Sequence, residues 1–160
     1  MRSLLVYCAL GLLGVIAWVV LFERTPLPPL NQAVLDFAES KVGEQVGDGE
    51  CWTLADQALL HANCRRPGRH GFKLYEFGLE IQRAQGILPG DILQFEGVRF
   101  DSPDGSWQEM PHHTAVVLRT MGSRVSVLHQ NHKHVKRVGG VSFDLAHQTA
   151  GSLQIFRPVQ

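Results

Sequence analysis

The sequence predicts an α+β fold, with N-terminal helices packed on one antiparallel β-sheet. Up to residue 62, apolar side chains recur at three- and four-residue spacing, which is typical of amphipathic helices. From residue 92 onward, they fall in short extended runs between turn residues, which is typical of strands. Because the helical patterns come first and the strand patterns follow, we expect two segregated layers.

Length and composition indicate one compact domain with a small appendage. The chain has 160 residues, of which 44% are hydrophobic and 19% are charged. We place the appendage at 1–30 and the domain at 31–160. Lys and Arg balance Asp and Glu at 15 each, so no broad electrostatic partner such as nucleic acid is indicated. Any substrate must be recognised locally.

The appendage predicts one transmembrane or signal helix. Residues 4–22 carry no charge and are followed by a proline-rich linker. At 1.5 Å per residue they span about 28 Å, close to the roughly 30 Å hydrocarbon core. A cleaved signal peptide and a buried core helix are the alternatives, but no small-residue cleavage site is evident. We expect a membrane-anchored domain outside the cytoplasm, periplasmic or extracellular, or else a secreted one.

Two helices are predicted at the start of the domain. The first is expected to begin near Leu30, with Asn31 as its N-cap, and to end at Gly43. A glycine-containing loop over 43–49 then leads into a second helix that begins at Cys51. The apolar stripe of this second helix consists of Trp52, Leu54, Ala55, Ala58, Leu59 and Ala62.

Beyond a basic loop over 64–73, the pattern changes toward strands. Residues 75–84 are compatible with a third helix, and a turn over 88–91 precedes an extended run. The loops over 64–73 and 97–111 are expected to shape a substrate cleft, and a turn is expected at Gly139 and Gly140. The predicted extended segments are 92–100, 114–118, 124–129 and 152–156.

Cys51 is expected to be a free and reactive thiol. If residues 51–63 form one helix, Cys64 lies about 20 Å from it, beyond the reach of a disulfide. At a helix start, unpaired N–H groups and the helix dipole stabilise a thiolate. The same N–H groups can hold an oxyanion, aided by Glu50, with Trp52 as a cleft wall. The opposing interpretation of Cys51 is a buried core cysteine.

Strand alternation selects the partner of this thiol. His113 would share a face with Ala115, whereas His112 would point the other way. We expect His113 to deprotonate Cys51 and later to protonate the leaving amine. His129 is expected to orient the ring of His113, with Asn131 as the second candidate.

Two alternative interpretations concern clustered charges and ligands. Four cations in the 64–73 loop could bind anionic substrate groups, although a solvated loop is the simpler reading. The histidines could instead bind zinc. No His-Glu-x-x-His helix or Cys-x-x-Cys pair supports a metal, so we predict no cofactor. The histidines considered for zinc are His112, His113, His129, His132 and His134.

Taken together, the motifs resemble the CHAP domain family, part of the papain-like superfamily that also contains the NlpC/P60 hydrolases. The resemblance covers about 42–158. It rests on 49–54 (GECWTL), on 88–92 (LPGDI) with 112–117 (HHTAVV), and on 127–131 (VLHQN).

The resemblance implies a papain-like fold and a cysteine amidase or endopeptidase that cuts the peptide part of bacterial cell wall. Cys51 would be the nucleophile, His113 the base and Asn131 the family's closing asparagine. His129 departs from CHAP, where an acidic residue is usual, and is similar to the NlpC/P60 third member. Some CHAP members bind calcium, but Thr53 is not acidic here, so we predict no calcium.

The sequence therefore predicts a cysteine hydrolase that cleaves amide bonds, with peptidoglycan as the favoured substrate. One alternative is an inactive CHAP-like module that binds cell-wall peptide or a partner protein. Another is a hydrolase or acyltransferase that acts on a different amide.

Overall fold

The structure, a computed structural model, describes residues 26–160 apart from positions 70, 72, 84 and 85. Within these residues, helix α1 spans Pro29–Ser40 and helix α2 spans Cys51–His61. A 3-10 turn over Leu145–His147 joins the last two strands. The strands are β1 (Leu79–Ile81), β2 (Ile92–Asp101), β3 (Trp107–Met121), β4 (Arg124–His129), β5 (Gly139–Asp144) and β6 (Gln148–Arg157).

These strands form one antiparallel sheet in the order β1-β6-β2-β3-β4-β5. Strands β2 to β5 are a meander, as expected. Strand β6 crosses back to pair with β2, which places the end of the chain inside the sheet. The predicted α+β class, with helices packed on an antiparallel sheet, is confirmed.

The two helices cover one face of the sheet. Val34 of α1 and Leu54 and Leu59 of α2 pack with Val116 and Leu128 in one buried cluster. Their spacing along each helix follows the periodicity that predicted the helices. Burial of this shared apolar surface fixes α2, and therefore its first residue, against β3 and β4.

The opposite face of the sheet is strongly curved. The ring centroid of Phe143 on β5 lies 5.4 Å from that of Phe95 and 4.7 Å from that of Phe100, both on β2. Two other strands separate β2 from β5, so a flat sheet would hold them about 14 Å apart. The sheet therefore curls, and its concave face has its own apolar core.

A buried carboxylate ties three elements together. Asp91 has no exposed surface. It accepts hydrogen bonds from Asn31 Nδ2 at 2.8 Å, Leu88 N at 2.8 Å, and Arg157 Nε and Nη2 at 3.1 and 2.9 Å. Helix α1, the turn before β2 and strand β6 are thereby joined at one charge.

The turn before this carboxylate requires glycine. Gly90 has φ +80°, and a Cβ on it would lie 2.0 Å from the carbonyl oxygen of Asn31. Only glycine lets α1 approach this closely in that conformation. The 88–91 turn is therefore a docking point for α1.

The structure corrects the start of the first helix. Pro28 occupies the N-cap position without a side-chain hydrogen bond, and Pro29 is the first helical residue. A proline there is favourable because its missing N–H would be unpaired in any case. Asn31 lies inside the helix, where its amide serves Asp91 instead of the cap.

The predicted third helix over 75–84 is wrong. Residues 79–81 form the short edge strand β1, in which Leu79 is opposite Arg157 and Ile81 is opposite Ile155. Gly78 makes this pairing possible, since a Cβ there would lie 2.2 Å from the Arg157 carbonyl oxygen. The open edge of β6 outweighs a weak local helical preference.

Two further expectations about loops are wrong. Most of 97–111 is a β-hairpin, in which Val98 is opposite Met110 and Asp101 is opposite Trp107. Gly139 and Gly140 begin strand β5 instead of making a turn. The chain reverses earlier, at 131–135, where Asn131 N donates to the Val135 carbonyl oxygen at 2.7 Å.

Among the described residues, none of the helices is long and apolar enough to cross a membrane. The anchor predicted at 4–22 lies outside the described residues, so it stays a prediction.

We predict that Asp91→Asn destabilises the fold by about 3 kcal/mol, because Arg157 loses the charge that it pairs with in a mostly buried setting. Urea unfolding measures this change. Asp36→Asn, on the exposed side of α1, is the matched control and should stay within about 0.5 kcal/mol of the parent. Equal losses in the two variants would refute the central role of Asp91.

Candidate active site

The loop before α2 places Cys51 as the first helical residue. Glu50 occupies the N-cap position and makes no side-chain capping hydrogen bond. Asp48 Oδ1 accepts from the Glu50 N–H at 3.0 Å and from the Thr53 hydroxyl at 2.6 Å. Its pKa is lowered, chiefly by the Thr53 hydrogen bond. Asp48 thus links the N-cap residue to the first turn of α2.

A buried glutamine fastens this loop to the end of β4. Gln130 is 1% exposed. Its Oε1 accepts from Val46 N at 3.0 Å, and its Nε2 donates to the carbonyl oxygens of Val46 at 2.9 Å and Glu50 at 2.8 Å. Cys51 follows Glu50 in the chain, and His129 precedes Gln130. The bond between Gln130 and Glu50 therefore brings Cys51 and His129 into the same region.

The thiol lies at a gap in the sheet. On the β2 side, Val117 N donates to the Asp91 carbonyl oxygen, and the Val117 carbonyl oxygen accepts from Gly90 N. Because backbone groups of successive residues in a strand point to alternate sides, the Thr114 N–H faces the β4 side. The pairing of β3 with β4 stops at Val116 and Leu128, so this N–H has no strand partner. The Thr114 N–H donates to the Cys51 sulfur instead.

Several groups set the pKa of Cys51. Burial raises this pKa above its ordinary value and is the largest cause, and the negative charge of Glu50 raises it further. Hydrogen bonds from the backbone N–H groups of Thr114 and Trp52, and from the Thr114 side chain, lower it. Their sum leaves the pKa raised, so Cys51 is a neutral thiol at pH 7.

Three imidazoles converge where β3 passes the end of β4. His113 Nε2 and His129 Nδ1 are 2.8 Å apart, and their rings meet edge to face with centroids 5.0 Å apart. The His132 ring lies 4.9 Å from that of His129 and 5.9 Å from that of His113. The ligand nitrogens of all three lie within 4.8 Å of one another.

The His113–His129 contact leaves the other nitrogen of His113 available. With Nε2 occupied by His129, Nδ1 is the ring atom that can face the thiol, which already contacts the next residue, Thr114. His129 therefore lies where the third member of a thiol–imidazole site would orient the ring.

Burial keeps this pair of histidines neutral. It lowers the pKa of His113 to about 3, with positive charge on His129 as the next cause. It also lowers the pKa of His129 to about 4, followed by positive charge on His132. At pH 7, Cys51 and His113 are consequently a neutral thiol and a neutral imidazole rather than an ion pair.

Asn131 and Glu50 lie beside the site but bond to each other. Asn131 Nδ2 donates to Glu50 Oε2 at 2.6 Å, and Lys136 Nζ pairs with Glu50 Oε1 at 3.0 Å. His129, not Asn131, is bonded to His113. As a carboxylate, Glu50 accepts hydrogen bonds, so its side chain does not supply an oxyanion donor.

The remaining predicted residues occupy separate positions. Trp52 packs its ring on the helix-side core and contributes its backbone N–H to the Cys51 sulfur. His112 points to the other face, where its Nδ1 lies 2.9 Å from Glu96 Oε2. A cavity of about 840 Å³ between the β2–β3 hairpin and loop 131–134 is lined by His113, His132 and His134, among others.

Two contributors were missed from the sequence. Thr114 supplies an N–H to the thiol, but only the early end of β4 reveals that this group is free. Gln130 anchors the cysteine loop through bonds to the backbone of Val46 and Glu50. A buried amide at a strand end next to a glycine-containing loop was the available signal.

Comparison with known proteins places the fold. Residues 30–160 match the family described as the AIM3/BBC1 cysteine proteinase-fold domain. The chain is 33% identical over 150 residues to altered inheritance of mitochondria protein 3 of Debaryomyces hansenii, an alignment that covers 81% of the chain. The chain spans only 16% of that relative's length.

Solved structures agree on the fold alone. The crystal structure of Ly7917 with the hydrolyzing product of MDP is similar at a TM-score of 0.52 and 17% identity, over 80% of this chain and 62% of that one. The structure of NlpC2 from Trichomonas vaginalis is similar at a TM-score of 0.51 and 17% identity, over 86% of this chain and 49% of that one. The CHAP resemblance is therefore confirmed only at the level of a papain-like cysteine proteinase fold.

We predict that stability falls between pH 6.5 and pH 5 because of His113 and His129. Their pKa values in the folded protein lie below the unfolded value near 6.5. Below pH 6.5, the unfolded chain therefore binds protons at these two histidines while the folded chain does not. Each histidine contributes a slope of up to about 1.4 kcal/mol per pH unit, with stability lost as the pH falls.

Urea unfolding across this pH range measures the slope. His129→Gln should reduce it by roughly half, while His147→Gln, at a position away from the site, should leave it unchanged. The same slope in all three proteins would contradict this assignment.

Proposed function

This chain belongs to the AIM3/BBC1 cysteine proteinase-fold family, and on that premise we propose a thiol hydrolase that cleaves an amide bond in a peptide. One observation carries the proposal. The Cys51 sulfur accepts N–H groups from Thr114 and Trp52 at a helix start, and His113, the chain neighbour of Thr114, is hydrogen-bonded to His129. A free thiol, a base and an orienting group are the parts of nucleophilic catalysis.

The first half of the reaction transfers the acyl group to sulfur. His113 Nδ1 takes the Cys51 proton as the sulfur attacks the carbonyl carbon, while His113 Nε2–H donates to His129 Nδ1. The carbonyl oxygen becomes an oxyanion, for which the Cys51 N–H at the helix start is a backbone donor. His113 then gives its proton to the leaving amine, and a thioester remains.

The second half restores the enzyme. His113 Nδ1 removes a proton from water as the water oxygen attacks the thioester carbonyl. The carbon–sulfur bond breaks, Cys51 regains the proton, and the carboxylic acid leaves. Throughout, His129 acts as a positioning residue, because it accepts the hydrogen bond that sets the tautomer of His113.

A peptide substrate fits the cavity beside the site. The cavity of about 840 Å³ reaches His113 and is open along the β2–β3 hairpin. Peptidoglycan stem peptide is our first candidate, supported by the motifs and by Ly7917, whose structure was determined with the hydrolyzing product of MDP. A different peptide or a protein glutamine is the alternative amide. The extracytoplasmic location remains a proposal that rests on residues 4–22.

The neutral state of Cys51 and His113 favours a second function, which is peptide binding without cleavage. With the pKa of Cys51 raised and that of His113 lowered to about 3, the resting pair is neutral. A neutral pair is also what a module that binds peptide without cleaving it would keep. Turnover separates the two functions.

We predict that the protein releases new amine ends from a panel of muropeptides and unmodified peptides. Cys51→Ala and His113→Ala should each reduce the rate at least about 10³-fold, and His129→Gln about 10- to 100-fold. Cys64→Ala and His147→Ala are the matched controls and should retain activity. Peptide binding without release, unaffected by Cys51→Ala, would establish the binding module instead.

We predict that alkylation of Cys51 by iodoacetamide accelerates about tenfold per pH unit from pH 7 to pH 9, because a raised pKa makes thiolate scarce at neutral pH. Mass spectrometry of the peptide that contains Cys51 measures the rate, and Cys64→Ala should give the same profile. A rate that is already constant from about pH 5 would show a preformed thiolate–imidazolium pair and refute the neutral resting state.

A further inference from the structure

The three histidines have a second chemical capability that hydrolysis does not use. His113, His129 and His132 place three ligand nitrogens within 4.8 Å of one another. Three imidazoles with a fourth position open are a known ligand set for zinc. We propose that these three residues form a binding site for a divalent metal of the zinc type.

The spacing of the nitrogens suits such an ion. Zinc–nitrogen bonds of about 2.0–2.1 Å in a tetrahedral site place nitrogens about 3.3 Å apart. The closest pair, His113 Nε2 and His129 Nδ1, is at 2.8 Å, and none exceeds 4.8 Å. Side-chain adjustments of roughly an ångström bring all three to the ion, without a change in the strands.

The backbone holds the third ligand over the other two. Asn131 and Lys133, on either side of His132, have φ values of +59° and +50°. The turn closes through Asn131 N to the Val135 carbonyl oxygen at 2.7 Å and Val135 N to the His132 carbonyl oxygen at 3.0 Å. Left-handed non-glycine residues are uncommon, and here they turn the His132 ring toward the concave face.

The environment of the cluster also suits metal binding. His113 and His129 are 6% and 5% exposed, whereas His132 is half-buried and lines the cavity. A metal can therefore enter from the cavity, and a water or substrate atom can fill the fourth position. Two nearby histidines are not ligands, since His112 bonds Glu96 and His134 lies outside the cluster.

Metal binding would block the proposed chemistry, and this consequence alone rests on the proposed function. A metal on His113 Nε2 displaces the proton shared with His129, so the neutral His113 ring must carry its proton on Nδ1. Nδ1 then has no lone pair to accept the Cys51 proton. The metal-bound protein is a reversibly inhibited form of the hydrolase.

Calorimetry with zinc tests binding separately from catalysis. In the Cys51→Ala background, which removes the site thiol as a competing ligand, we expect one zinc per chain. Adding His132→Ala should weaken binding at least 30-fold, and cobalt should show the intense visible bands of a tetrahedral site that His132→Ala removes. Adding His134→Ala, the matched control from the same loop, should leave binding unchanged.

Each result decides the proposal. Absence of stoichiometric zinc binding, or equal losses with His132→Ala and His134→Ala, overturns the site. Zinc that binds as expected but leaves peptide cleavage unaffected supports the site and removes His113 Nδ1 as the base. Zinc that inhibits cleavage, with a half-inhibitory concentration at least 30-fold higher in His132→Ala than in the parent, supports both.

Discussion

The buried amide of Gln130 is the interaction on which the candidate site depends. It bonds the backbone of Val46 and Glu50 at three points, and it follows His129 directly in the chain. A loop with several glycines would otherwise leave Cys51 free to sample many positions. Because both ends of the amide are satisfied by backbone groups of one loop, Cys51 and His129 are fixed relative to each other.

The early end of β4 leaves a backbone donor free to bond the thiol that Gln130 helps to position. Where β4 stops, the Thr114 N–H has no strand partner, and the Cys51 thiol accepts it. The same interruption lets loop 131–134 fold back over His129 and open the cavity beside His113. The contact of the Cys51 thiol with Thr114 and the cavity beside His113 thus both lie where β4 ends.

Low solvent access determines the resting electrostatics of the site. Burial raises the pKa of Cys51 and lowers the pKa values of His113 and His129. A neutral imidazole has a free nitrogen lone pair, which can accept a proton from the thiol or bind a metal, so both proposals depend on the same neutral state. The two proposed uses would compete for His113, so metal occupancy and peptide cleavage would exclude each other.

The sequence by itself determined the fold class, the helix that begins at Cys51, the strand over 124–129 and the placement of His113 and His112 on opposite faces, because these follow from local periodicity and strand alternation. Only the tertiary structure decided that His129 rather than Asn131 contacts His113, and that three histidines converge. Both features depend on pairing between residues that are distant in the sequence. The end of β4, the curl of the sheet and the contacts between distant residues are set by packing, which no local pattern encodes.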